Sequence, residues 1–301
     1  RQGPGRHSQF SGCGWTVEGY PLSTNQTRFF APAKLNLFLH VVGRREDGYH
    51  ELQTLFRFLD FGDWLEFIPT PETAIDRTSG NEAVSIDEDL IIRAARLLQS
   101  QSGCSRGVEI SVEKKIPLGA GLGGGSSDAA TTLLALNQLW GLGLSSSELK
   151  ELGLSLGADV PVFIQGHSAW AEGVGDRLSA VELPPATYLV VIPPVSVSTS
   201  RIFSDSKLTR NSPLITIADY QAGESRNDLE KVTCRLYPEV GEVLEWLGDY
   251  GLARMTGSGA AVFIELENTV FGQSVLAQMP EMWRGFIAQG VDFHPFWRNE
   301  H

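Results

Sequence analysis

Residues 115–130 read Lys115-Ile116-Pro117-Leu118-Gly119-Ala120-Gly121-Leu122-Gly123-Gly124-Gly125-Ser126-Ser127-Asp128-Ala129-Ala130, and an apolar, Ala-rich helical pattern runs on to about Trp140. Five of the seven residues 119–125 are Gly. Without side chains in the way, backbone N–H groups can point into one concavity. The helix that starts just beyond adds unpaired N–H donors and the positive end of its dipole. Such a cradle suits phosphate groups, so the expected class is a nucleotide-binding enzyme. Ser126 or Ser127 stands where it can cap the helix.

Gly119-Ala120-Gly121-Leu122-Gly123-Gly124 formally satisfies the GxGxxG dinucleotide pattern. That pattern belongs between a first strand and a helix, with an acid about 20 residues on at the end of the next strand. Here the run lies past residue 100, and the acid at that distance, Glu148, sits in a helix-start pattern. A Walker A loop needs Gly-Lys-Ser/Thr, which does not follow. The His-Arg-Asp, Asp-Phe-Gly and Ala-Pro-Glu set of protein kinases is missing as well.

The 301 residues carry a formal charge of −12, with 42% hydrophobic and 20% charged residues. Those proportions describe a globular chain of one large or two medium domains. The acidic balance argues against a nucleic-acid partner, while leaving room for an anionic small molecule held by local donors. Cys13, Cys104 and Cys234 are dispersed, so neither zinc nor a disulfide framework is expected, and a cytoplasmic, reducing setting fits. No apolar run reaches the 18 or so residues of a membrane span. Residues 1–28, rich in Gly, Ser, Gln, Thr and Pro, are expected to be an extension outside the folded unit, disordered or of expression-vector origin.

Ala33 to Val42 alternates, with Leu35, Leu37, Leu39 and Val41 on one face and Lys34, Asn36, Phe38 and His40 on the other. This reads as a half-buried strand with a largely polar second face. Glu46-Asp47-Gly48 turns into a strand over Tyr49 to Phe61, and Trp64 to Ile68 reads as a further one. Helical spacing follows at 89–99, a strand at 108–112, and a capping-box helix from Ser145 to about Leu156. Leu183-Pro184-Pro185 marks an expected domain boundary, giving units at 29–184 and 185–301, the last strand returning to the first unit. Helices near 229–236 and 240–247 and two strands around Thr256-Gly257-Ser258-Gly259 complete an α+β pattern.

The form Pro-x-Gly-x-Gly-x-Gly-Gly-Gly-Ser-Ser resembles the second motif of the GHMP kinases. Ala31-Pro32-Ala33-Lys34-Leu35-Asn36-Leu37 is similar to their first motif and Met255-Thr256-Gly257-Ser258-Gly259-Ala260 to their third. The resemblance implies a two-domain fold with ATP and substrate in the cleft between domains. Arg45-Glu46-Asp47-Gly48-Tyr49-His50-Glu51-Leu52-Gln53-Thr54, Leu156-Gly157-Ala158-Asp159-Val160-Pro161-Val162-Phe163 and Ala171-Glu172-Gly173-Val174-Gly175-Asp176 narrow it further. They resemble the branch of the family that phosphorylates the 2-hydroxyl of a cytidyl-diphosphate methylerythritol in the non-mevalonate route to isoprenoids. A homoserine or mevalonate type of GHMP kinase and a non-catalytic kinase-like sensor are the alternatives.

By this resemblance Asp159 is the general base and Lys34 its partner. An ammonium there would balance the carboxylate and help stabilise charge on the transferring phosphoryl group. Position alone reads Asp159 equally well as a helix-terminus or turn acid, and Lys34 as part of a solvated strand face. Pro117 to Ser127 would wrap the ATP phosphates. Mg²⁺ is expected with the nucleotide, and its protein ligand is left open among Ser126, Ser127 and Asp128, the last equally a first-turn helix acid. Tyr49 would stack on the cytosine, His50 hydrogen-bond its edge, and Phe203 close the other side, although Phe203 also reads as a core aromatic. Asn36 is the expected partner for the substrate's polar groups.

Overall fold

The computed structural model describes residues 27–300, so the expected N-terminal extension lies almost wholly outside the described residues. β1 (Arg28–Arg44) and β2 (His50–Thr70) form a long antiparallel hairpin. Gly48 closes it at φ +89°, a conformation natural to the second residue of an Asp-Gly turn. β3 (Ile75–Ser79) leads through α1 (Leu90–Ser102) to β4 (Gly107–Glu113), which lies parallel to β3 and antiparallel to β2. Asp89 caps α1 by accepting from the Ile91 N–H, and Gly103 ends it in the left-handed region.

After the glycine run come α2 (Gly124–Leu139), α3 (Ser146–Leu156) and α4 (Val160–Gln165). The hairpin of β5 (Ala169–Glu172) and β6 (Arg177–Ala180) extends the sheet from β2. The Ser145 capping box of α3 forms as expected. α2 is buried all round from Ser127 to Leu136, as a uniformly apolar helix must be. Its Leu133, Leu134 and Leu136 share a core with Phe58, Phe67, Ile91 and Phe163.

The second half runs β7 (Thr187–Ile192), α5 (Thr199–Ser204), α6 (Ile217–Gln221), α7 (Glu230–Leu236) and α8 (Pro238–Gly248). β8 (Arg254–Met255), β9 (Val262–Leu266), α9 (Thr269–Leu276) and β10 (Arg284–Val291) follow, and a 3-10 turn over Pro295–Glu300 ends the described chain. Its core sets Leu189, Val191 and Ile264 against Val232, Val240 and Leu247 of α7 and α8. The ten-stranded sheet is ordered β3-β4-β2-β10-β7-β9-β8, with β1, β5 and β6 attached through β2. Most pairs are antiparallel, and the α+β expectation holds.

β10 pairs with β7 along its length and with β2 at Gly290 and Val291. Arg57 of β2 clamps the same junction. Its guanidinium is 2.5 Å from Asp292 and donates to the carbonyls of Pro184 and Gly290 at 3.2 and 2.9 Å. A third core joins the halves: Leu35 and Leu55 meet Val190, Ile192 and Phe263, and Ala120 and Leu122 of the glycine run drop into it.

Three local expectations need correction. The face of β1 that carries Lys34 and Asn36 is buried instead of solvated, the two being 2% and 3% exposed, because the glycine-rich loops cover it. A bulge between Asn36 and Leu39 then reverses the alternation, so Leu39 continues that face and His40 leaves it for Arg226. Trp64 to Ile68 is no separate strand but the continuation of β2. Phe61-Gly62-Asp63 resembles a turn, yet Gly62 lies opposite Pro32 in the ladder, where a Cβ would come within 2.2 Å of the Ala31 carbonyl. Neither Ser126 nor Ser127 caps α2; Gly123 takes that position with no side-chain cap. A capping hydroxyl would occupy the N–H groups that the cradle needs.

Candidate active site

The glycine run is anchored by its carbonyls. Gly119 O accepts from Val197 N, Ala120 O from Ala261 N at 2.9 Å and Leu122 O from Lys34 N at 2.9 Å, while Gly121 O accepts from the Lys34 ammonium at 3.0 Å. None of the N–H groups of residues 119–126 donates to an acceptor among the described residues. With the carbonyls drawn into the protein, the amides face a cavity of about 400 Å³ lined by residues 116–126. Donors concentrated at the start of a helix favour an anion there.

Gly121 shows why the loop needs glycine. It sits at φ +76°, and a Cβ would lie 2.5 Å from the Thr256 carbonyl and 2.8 Å from that of Gly259, closing the contact between the second and third glycine motifs. Strain and overlap of this kind cost about 1–3 kcal/mol. Gly121→Ala is therefore expected to raise the KM for ATP about tenfold or more, with circular dichroism unchanged. An unaltered KM would show that the loop does not read phosphate.

Lys34 rises from the buried face of β1 into the same cavity. Its ammonium has three N–H donors, and three acceptors surround it: Asn36 Oδ1 at 2.5 Å, Gly121 O at 3.0 Å and Asp159 Oδ2 at 3.3 Å. The Phe56 ring lies 5.6 Å from it. Asn36 is held in turn, its Nδ2 donating to Thr54 Oγ1 and its backbone N–H to Thr256 Oγ1, both at 2.9 Å. The side chain expected to meet substrate thus orients Lys34 first, leaving one amide hydrogen and one oxygen lone pair for a ligand.

Asp159 occupies the cap position of α4 but makes no capping hydrogen bond. The helix-terminus reading of this acid therefore does not apply. Its side chain is 35% exposed, against 3% for Lys34, so the pair has one sheltered and one open partner. Both residues line the cavity with Ser126, Thr199 and Ser258.

A second opening of about 550 Å³, lined by Tyr49, His50, Phe203, Arg44 and Asp47, shares Leu52, Ala158, Val174 and Phe203 with the first. The His50 and Phe203 rings lie 5.1 Å apart, while Tyr49 stands 65% exposed on the β1–β2 turn. Burial, followed by the guanidinium groups of Arg210 and Arg44, lowers the His50 imidazole below its ordinary value.

Beneath the loop, Lys114 Nζ lies 2.5 Å from Asp63 Oδ2 and 2.6 Å from Asp128 Oδ2. Asp63 Oδ1 accepts from the N–H groups of Lys115 and Ile116 at 2.5 and 2.8 Å, fixing the chain as it enters the cradle. Burial pushes the Asp128 carboxyl up to about 7, Asp63 adding to the effect and Lys114 opposing it. Asp128 is thus bound within this cluster and not a simple first-turn acid.

The family pattern described as GHMP kinases N terminal domain matches residues 89–167, and that described as GHMP kinases C terminal matches 208–285. The 4-diphosphocytidyl-2-C-methyl-D-erythritol kinase of Nitrosococcus oceani is 52% identical over 263 residues, covering 87% of this chain and 94% of the relative. The kinase of the same name from Ralstonia pickettii is 53% identical over 274 residues, covering 89% and 95%. The chain belongs to the 4-diphosphocytidyl-2-C-methyl-D-erythritol kinase family. A crystal structure of 4-(cytidine 5'-diphospho)-2C-methyl-D-erythritol kinase aligns with TM-score 0.77 and 36% identity, covering 87% of this chain and 98% of the other. Mevalonate kinase from Methanococcus jannaschii shares the fold alone, at TM-score 0.65 and 17% identity over 89% of this chain and 99% of the other.

As a member of that kinase family the chain is an ATP-dependent small-molecule kinase. The fold brings Lys34, Asn36, Asp159, Phe203 and residues 117–126 around one cavity, and Tyr49, His50 and Phe203 around its extension. Ser127 is the exception, fully buried behind the loop with no partner for its hydroxyl among the described residues. Several contributors were not singled out from sequence: Thr54 and Thr256 behind Asn36, Ser258 on the cavity wall, and Asp63 and Lys114 around Asp128. The third glycine motif was a usable signal for Thr256 and Ser258. The others lie in ordinary strand and loop sequence.

Proposed function

We propose that this chain transfers the γ-phosphoryl group of ATP to the 2-hydroxyl of 4-diphosphocytidyl-2-C-methyl-D-erythritol, a step in non-mevalonate isoprenoid precursor synthesis. The observation that carries the reading is the Lys34–Asp159 pair, 3.3 Å apart, placed between a phosphate cradle and an aromatic pocket. Asp159 Oδ2 accepts the hydroxyl proton as the new O–P bond forms and the bond to the ADP oxygen breaks. Lys34, already oriented by Asn36 and Gly121, sets positive charge beside the phosphoryl oxygens. The free amides of residues 119–126 hold the remaining phosphates, and Tyr49 and Phe203 stack on the cytosine while His50 meets its edge.

Mg²⁺ bound to the nucleotide would supply further neutralisation of the phosphoryl charge. Among the described residues no group of three or more His, Cys, Asp or Glu could cage a metal. Asp159 is the carboxylate that lines the cavity and Ser126 the hydroxyl residue of the loop there, a sparse set that fits a cation held mainly by phosphates and water. The same reading divides the chain at Pro184 into an N-terminal catalytic unit and a C-terminal unit, supported by the two cores built chiefly from the residues on either side of it. It also places the protein in a reducing cytoplasm, supported by the free Cys104 and Cys234.

An ADP-release assay with ATP and Mg²⁺ across 4-diphosphocytidyl-2-C-methyl-D-erythritol, mevalonate and homoserine tests the proposal. Turnover is expected with the first and at least about 10³-fold lower kcat/KM with the others, which leave the aromatic pocket empty. Turnover of mevalonate or homoserine alone would assign a different GHMP acceptor, and no turnover of any would leave a sensor.

A further inference from the structure

Arg210 lies in the segment between α5 and α6, and three backbone carbonyls hold its guanidinium. Nη1 donates to Leu208 O at 3.1 Å, and Nη2 to Phe203 O at 3.0 Å and Asp205 O at 2.7 Å. Its Nε donates to His50 Nε2 at 2.9 Å, leaving one Nη1 hydrogen of the five uncommitted. A guanidinium offers donors and no acceptor, and it keeps its charge throughout the usable pH range. His50 Nε2 must therefore present its lone pair to Arg210.

That contact decides the chemistry of the other ring nitrogen. With Nε2 accepting, a neutral imidazole carries its proton on Nδ1. Moving the proton to Nε2, or adding a second one, would set two N–H donors head to head. Arg44 is a second cation at this end of the cavity and Asp47 is the carboxylate there. Because His50 lines the cavity, its uncommitted edge offers a hydrogen-bond donor.

We propose that Arg210 is a positioning residue that locks His50 in the Nδ1–H tautomer and so makes this end of the cavity select cytosine over uracil. The inference rests on the reading of the pocket as a cytidine site. Cytosine presents a bare acceptor at N3, whereas uracil presents an N–H at the same place. A fixed imidazole donor pairs with the first and opposes the second. If the tautomer were free, the ring could turn its lone pair to uracil at little cost. Arg210 thus supplies the repulsive element on which discrimination between similar ligands depends.

The test uses the full chain and two readouts. Imidazole ¹⁵N spectra, with the His50 signals assigned by their loss in His50→Gln, are expected to show an unprotonated Nε2 and a protonated Nδ1. A proton on Nε2 in the unmodified protein overturns the proposal without any variant of Arg210. In parallel, kcat/KM is measured with the cytidine substrate and its uridine counterpart. Arg210→Met is expected to lower the cytidine-to-uridine preference at least about tenfold and to mix the tautomers of His50. Arg210→Lys, which restores a permanent donor, is expected to recover part of both.

A purely structural role for Arg210, as the anchor of residues 203–208, would weaken both substrates equally and leave the tautomer unchanged, and that result overturns the proposal. If neither nucleotide substrate turns over in the unmodified enzyme, the proposed function fails. The spectra would still report whether Arg210 sets the His50 tautomer.

Discussion

Asp159→Asn is expected to lower kcat about 10³-fold, within the 10²–10⁴ range of a positioned general base, while the KM for either substrate moves by less than about threefold. The substitution is close to isosteric and keeps an oxygen that Lys34 can face, so the change isolates the proton acceptor. It leaves the fold alone, because Asp159 makes no capping hydrogen bond and its side chain is 35% exposed. An equal melting temperature is therefore part of the expected result. In free energy the loss corresponds to about 4 kcal/mol of transition-state stabilisation. Lys34 remains tied to Asn36 and Gly121 in the variant, so the cradle stays intact and ATP binding persists. A kcat within tenfold of the unmodified enzyme would remove Asp159 from the chemistry. A raised KM at constant kcat would make it a binding residue instead.

What could be read from the sequence follows from how local each feature is. The glycine run, the capping box at Ser145 and the Asp-Gly turn each act through a few neighbouring residues, and each formed in its place. Alternation in β1 correctly put Lys34 and Asn36 on one face. It could not say what covers that face, since the Thr256–Gly259 loop arrives from more than two hundred residues away. Gly62 misled for a related reason. A glycine between strand-like runs reads as a turn, but here it permits close approach of the Ala31 carbonyl.

The site divides in the same manner. Lys34, Asp159 and the loop lie in motifs whose residue types state their chemistry. Arg210 lies in Lys207-Leu208-Thr209-Arg210, where a surface cation is the ordinary reading, and its link to His50 spans 160 positions. Asp63 and Lys114 are likewise ordinary charges until folding draws them to Asp128 beneath the cradle. Helix α2 has no side-chain cap where sequence rules would place one, and that local rule gives way at the point where the chain needs free donors.

Lys114→Met is expected to destabilise the fold by about 3–5 kcal/mol at pH 8, the usual consequence of removing one partner from a buried ionic cluster. Asp63 and Asp128 are 0% and 1% exposed, and without the ammonium they would face each other with no counter-charge. The pH dependence distinguishes this cause from lost packing. Asp128 already has a folded-state value raised to about 7, above the roughly 3.9 of an unfolded aspartate. A raised carboxyl contributes stability that is fully present below the unfolded value and is lost as pH rises through the folded one. Removing Lys114 takes away the influence opposing that rise, so the folded value climbs further. Both proteins lose stability alike between about pH 4 and 7, and the deficit widens as pH rises above about 7. The difference in unfolding free energy between Lys114→Met and the unmodified protein should therefore be smaller at pH 5.5 than at pH 8, measured by urea titration at both. Lys114→Arg, which keeps the charge, should recover part of the loss. A deficit equal at the two pH values would assign the effect to packing and leave the two carboxylates without electrostatic need of Lys114.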